Sequence, residues 1–126
     1  MNSRKRFEER KKIVNLIRVD CRTGSRVNLF KFNPAYSEKH ENAKFEVFKE
    51  LIKRGCEVWT EIILTDNSRP DILAFNPKTG RSLIVEILNS ETLKTAKVKA
   101  EKYPIEVIFI DSKLPLKLEE IDLWKK

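Results

Sequence analysis

The spacing of hydrophobic positions changes several times along this chain. Over residues 3–18 a charged run is interrupted by Phe7, Ile13, Val14, Leu16 and Ile17, the narrow apolar stripe of a helix. Residues 19–35 lose that period around Gly24, Asn33 and Pro34, and the partial alternation of Val27, Leu29, Phe30 and Phe32 allows a short strand within 25–32. Ser37 is a good helix N-cap and Gly55 a good helix stop. Between them Ala43, Phe45, Val47, Phe48, Leu51 and Ile52 recur at helical spacing. Three β-prone runs follow at 56–64, 71–76 and 82–88, the last two joined by the turn Asn76-Pro77-Lys78-Thr79-Gly80. Ser90 caps a further helix through about residue 103, where Pro104 breaks it, and 105–110 is a continuous apolar run of the buried parallel type. Leu116, Leu118, Ile121, Leu123 and Trp124 predict a short terminal helix. The order predicts an α/β fold, with a basic N-terminal arm or helix over 1–35 and an α/β domain over 36–126.

Two acids break this pattern. Asp71 follows Pro70 at the start of one apolar run, and Glu86 lies inside Leu83–Leu88 in the next. A carboxylate in such a run is costly to desolvate without a partner or a metal. At the end of a hairpin the two could share one divalent cation. The alternatives are a turn cap for Asp71 after Pro70 and a metal-free ion pair between Glu86 and Lys44.

The helix over 37–55 adds further candidates. On a wheel of about 100° per residue with Phe45 at the origin, Val47, Leu51, Phe48 and Ile52 span about 200° to 340°. Lys44 falls at about 260° and His40 at about 220°, within that arc, while Glu46 and Glu50 fall at about 100° and 140° and point away. The sheet-facing side is therefore expected to carry a lysine and a histidine, with the acids on the solvent side. Lys44 either snorkels along the apolar seam or pairs with Asp71 and Glu86. His40 is either a partly buried structural histidine or a group that touches phosphate or relays a proton. Strand alternation places Glu61 with Glu57, Trp59 and Ile63, as a third acid if that face holds the site and as an edge position otherwise. Lys94, Lys97, Lys99 and Lys102 dot the later helix, either as a solvated face or, at Lys97, as a candidate site lysine.

Charge sharpens the picture. The chain has 126 residues and a formal net charge of +7. Residues 1–54 carry 15 Lys/Arg against 7 Asp/Glu, a balance of +8, and residues 55–126 carry 11 against 12. The excess lies on Arg4, Arg6, Arg10, Lys11, Lys12, Arg18, Arg22 and Arg26, as expected of an arm that grips a polyanion such as DNA. The bland alternative is a solubilising basic face. Two cysteines, Cys21 and Cys56, make neither a disulfide framework nor a zinc site. No signal peptide is visible and no apolar run approaches the ~20 residues of a membrane span, so a cytoplasmic location without a membrane partner is expected.

The element order, the helix that ends in Gly55, the Pro70-Asp71 strand start and Glu86 fifteen positions later resemble the PD-(D/E)xK nuclease superfamily. The likeness covers roughly residues 38–111 and is nearest to the small archaeal Holliday-junction-resolvase-like and restriction-endonuclease-like members. It implies an αβββαβ core with a mixed central sheet flanked by helices. It also implies metal-dependent endonuclease activity on DNA, with Mg²⁺ or Mn²⁺ held by Asp71, Glu86 and the carbonyl of Ile87, and no nucleotide cofactor. A homodimer is implied as well, since one site cuts one strand. The sequence departs from the motif at Leu88, which stands where the family has lysine. Many members carry an acid about eleven residues before the glycine that ends the first helix, and here that place is Lys44. The resemblance thus makes Lys44 the expected donor of the missing amine, with His40 and Glu61 beside it. The rival expectations are a nuclease fold that binds nucleic acid without cutting it and a protein-interaction or assembly subunit.

Overall fold

The computed structural model describes residues 2–18, 27–89 and 93–113. Within them the chain is an α/β fold: a four-stranded mixed sheet with three helices, α1 Ser3–Val14, α2 Glu38–Lys53 and α3 Leu93–Ala100. The strands are β1 Glu57–Thr60, β2 Ile72–Phe75, β3 Ser82–Leu88 and β4 Val107–Asp111, in spatial order β1-β2-β3-β4. β1, β2 and β3 form an antiparallel meander, and β4 lies parallel to β3 after the crossover that contains α3. The predicted terminal helix, the Ser90 cap, Cys21, Arg22 and Arg26 lie outside the described residues.

Local chemistry accounts for the helix limits. Asn2 caps α1 by accepting from the Lys5 N–H at 2.8 Å. Ser37 caps α2 by accepting from the His40 N–H at 3.1 Å, with Glu38 and Glu41 in the first turn against the positive end of the helix dipole. α2 ends in a Schellman motif: the Gly55 N–H donates to the Ile52 carbonyl at 2.9 Å and the Cys56 N–H to that of Leu51 at 3.0 Å. Gly55 takes φ 86°, the left-handed conformation that only glycine adopts without strain.

The sheet is covered on both faces. Ala43, Val47, Phe48 and Leu51 of α2 pack on Val58, Ile72, Ala74, Val85 and Ile87. On the opposite face Ile13 and Ile17 pack with Trp59, Leu73, Phe75 and Ile84. The described residues 3–18 of the N-terminal segment, expected as an arm or helix, are thus docked on the sheet. Arg10 binds Glu57 at 2.9 Å with its guanidinium over the Trp59 ring, Ile17 bridges to Leu64, and Arg18 bonds Asn67 at 3.2 Å. Arg10 and Arg18, read from sequence as backbone-gripping cations, have protein partners here. Arg4 and Lys12 stay exposed and pair within α1, with Glu8 and Glu9. Among the described residues no helix is long and apolar enough to cross a membrane.

Three expected limits are corrected. α1 ends at Val14, not residue 18, because residues 15–18 turn to bridge the sheet. Of the possible strand within 25–32, the described residues 27–32 form only an isolated bridge between Leu29 and Trp59. The first β-prone run ends at Thr60 because Glu61 adopts φ 52° and breaks the ladder. Ile62 and Leu64 then turn into the core on the α1 side.

Candidate active site at the end of the β2–β3 hairpin

The β2–β3 ladder pairs Ile72 with Val85, so one further step sets Asp71 opposite Glu86. The two residues lock each other in place. The Asp71 N–H donates to Glu86 Oε2 at 2.8 Å, and the Ile87 N–H donates to Asp71 Oδ2 at 2.8 Å. The Tyr103 hydroxyl, from the segment between α3 and β4, donates to Glu86 Oε1 at 2.6 Å. Asp71 is buried and Glu86 half-buried. Burial and the charge of Asp71 push the Glu86 carboxyl up to about 8, against the opposing pull of the hydrogen bonds from the Tyr103 hydroxyl and the Asp71 backbone N–H. Burial and the Glu86 carboxyl beside it raise the Tyr103 hydroxyl, keeping it a neutral donor.

His40 reaches this pair from α2. Its Nε2 lies 3.4 Å from Asp71 Oδ2 and its Nδ1 2.7 Å from Glu41 Oε2. The Tyr36 ring stacks on it at 4.3 Å. Burial works against a charged ring, but the contacts to Asp71 and Glu41 outweigh it and raise the pKa. An imidazolium can donate to a carboxylate at each nitrogen.

Lys44 does not join Asp71 and Glu86 as the sequence led us to expect. It is fully buried, and its Nζ binds Glu41 Oε1 at 2.6 Å, Glu61 Oε2 at 3.0 Å and the Lys31 carbonyl at 3.0 Å. The expectation that the acids of α2 face solvent fails at Glu41, which is buried. Its wheel angle, about 320° on the same convention, lies inside the apolar arc and would have flagged it. Glu61 also arrives by a different route. Alternation put it beside Trp59, but its left-handed backbone swings it to the α2 side, where it meets Lys44 and Asn33.

Together Lys44, Glu41 and Glu61 hold residues 31–33 against α2 and β1. Glu41 Oε1 accepts from the Asn33 N–H at 2.6 Å and Glu61 Oε1 from Asn33 Nδ2 at 2.6 Å. Thr60 Oγ1 accepts from the Lys31 N–H at 2.8 Å and donates to the Leu29 carbonyl at 3.0 Å. A chain of polar contacts therefore runs from Glu61 through Lys44, Glu41 and His40 to Asp71.

The two carboxylates open onto a cavity of about 410 Å³ whose walls include Tyr36, His40, Arg69, Lys99 and Tyr103. Lys99 of α3, and not Lys97, lines it. Tyr36, Arg69 and Tyr103 carried no sequence signal: each lies in an irregular stretch where periodicity is silent. Among the described residues no group of three or more His, Cys, Asp or Glu side chains is arranged to hold a metal ion. Two hard oxygen donors whose mutual repulsion raises one pKa still suit a divalent cation, which would remove that repulsion. No protein-family model, curated protein or solved structure significantly matches this chain.

Proposed function

We propose that this cavity is the active site of a metal-dependent endonuclease that hydrolyses phosphodiester bonds in DNA, of the PD-(D/E)xK type. The reading rests chiefly on the reciprocal lock of Asp71 and Glu86 on the wall of a cavity that Lys99 and Arg69 also line. Asp71 and Glu86, with the Ile87 carbonyl, would hold Mg²⁺ or Mn²⁺, which supplies Lewis-acid polarisation of the phosphate and a more acidic bound water. The chain's own residues do the rest. Asp71 is oriented by the Ile87 N–H and by His40, and Glu86 by Tyr103 and the Asp71 N–H. Lys99 and Arg69 set positive charge where the phosphate would lie, so Lys99 takes over the part that the motif gives to a lysine at position 88. Fixing the carboxylates before substrate arrives lowers the reorganisation needed in the transition state. A second copy of the chain would serve the opposite strand.

The test is nicking of supercoiled plasmid and of branched DNA with Mg²⁺ or Mn²⁺. Wild type is expected to cut, Asp71→Asn to lose activity, and Lys99→Met to lose roughly 10²-fold or more in rate. Lys97→Met, on the same helix and off the cavity wall, is expected to cut normally. Leu88 in the lysine position favours the second reading, a nuclease-like fold that binds without cutting. Salt-sensitive DNA binding with no cleavage in either metal would establish that reading and remove the first.

A further inference from the structure

A second concavity of about 160 Å³ adjoins the first, walled by Asn33, Glu61 and Pro70. Tyr36 and Arg69 line both cavities and so form their common wall. Tyr36 is 44% exposed although one side of its ring rests on His40, with the planes 24° apart. Its position is set beforehand by a hydrogen-bonded turn: the Ala35 N–H donates to Asn33 Oδ1 at 2.9 Å and the Tyr36 N–H to the Asn33 carbonyl at 3.2 Å. Asn33 is itself held by Glu41 and Glu61. A rigid, half-open aromatic ring beside a guanidinium is the combination that binds single-stranded nucleic acid, the ring stacking a base and the cation meeting its backbone.

We propose that the smaller cavity seats a nucleobase whose neighbouring phosphate lies in the larger one, with Tyr36 stacking the base. The substrate class is then DNA with an unpaired base next to the bond acted on: a single strand, or a junction or flap with unstacked nucleotides. The inference rests on reading the larger cavity as a phosphodiester site. A base within a duplex is stacked on both faces and cannot enter a recess of this size without leaving the helix. Asn33 and Glu61 give the recess a polar wall for the base's hydrogen-bonding edge.

Binding is measured in EDTA by fluorescence anisotropy, using a labelled single strand, the same strand in full duplex, and an abasic strand of equal length. Wild type is expected to prefer the single strand over both others. Tyr36→Ala is expected to weaken single-strand binding by about 5- to 150-fold, the range for stacking one base on an aromatic ring. Tyr36→Phe retains the ring and is expected to bind as wild type. The abasic strand should bind wild type and Tyr36→Ala alike, since neither can stack what is missing. An equal loss on normal and abasic strands would mean that Tyr36 acts only by covering His40, and would overturn the proposal. So would equal affinity for duplex and single strand, or no binding at all. Tyr36-dependent single-strand binding without cleavage in Mn²⁺ would leave this proposal standing and remove the hydrolytic one. Cleavage of intact duplex unaffected by Tyr36→Ala would do the reverse.

Discussion

Lys44 shows how much one side chain depends on its surroundings. It is 0% exposed and held by Glu41 and Glu61, so removing its charge would leave two carboxylates without their common cation. Lys44→Met is expected to destabilise the fold by about 3–5 kcal/mol, read from urea denaturation, as when one partner of a buried ion pair is lost. Adding Glu41→Gln to Lys44→Met should cost less than the sum of the single changes, because the two groups share one network. Glu86 sets a pH dependence. Its carboxyl is raised from an ordinary 4.5 to about 8, so the folded protein binds more protons than the unfolded chain between those values. Stability therefore falls as pH rises through that window and levels off above it. His40, also raised, acts with the same sign as pH climbs through and above its ordinary 6.5. Thermal melts of the metal-free protein across pH 4.5 to 8 should show the decline, and Glu86→Gln should flatten it. If Glu86 holds a cation, Mn²⁺ affinity should rise over the same interval as its proton leaves.

Among the elements, α2 has the clearest sequence signals. Its N-cap and glycine stop were both legible, because each satisfies backbone groups within a few residues. Gly55→Ala tests the stop. A Cβ there meets nothing within 4 Å, so the cost is that of the φ 86° backbone alone. A loss of about 1–2 kcal/mol is expected by denaturant titration. The hairpin was legible too, since its apolar runs and the Asn76–Gly80 turn are local features. The turn closes through a 2.8 Å bond from the Gly80 N–H to the Asn76 carbonyl, and Asn76 Oδ1 accepts from the Lys78 N–H at 2.9 Å. β1 was read too long because alternation continues through Glu61 to Ile63, and a single positive φ, invisible to periodicity, ends the strand.

Across the whole molecule, charge is uneven. Arg4, Arg6, Lys11 and Lys12 lie exposed on α1, while Arg10 is bound to Glu57. If DNA is the partner, log K should fall linearly with log salt, with a slope of about −0.9 for each phosphate neutralised on duplex or −0.7 on a single strand. Replacing those four exposed cations by Ala should flatten the slope without altering cleavage chemistry. A wild-type slope near zero would mean that this face is only solvated. The amino-acid order by itself determined three helices, the order of the four strands and the hairpin that sets Asp71 beside Glu86. These follow from periodicity, caps and turns, which act over a few residues. Tertiary structure alone decided the partners. Lys44 went to Glu41 and Glu61 because residues 31–33 and the reversed backbone at Glu61 bring polar groups over the middle of α2. Lys99 and Tyr103 reached the cavity because the parallel crossover returns the chain beside β3. Contacts between residues far apart in sequence are set by how faces pack, and no local pattern encodes which distant side chain fills the space opposite.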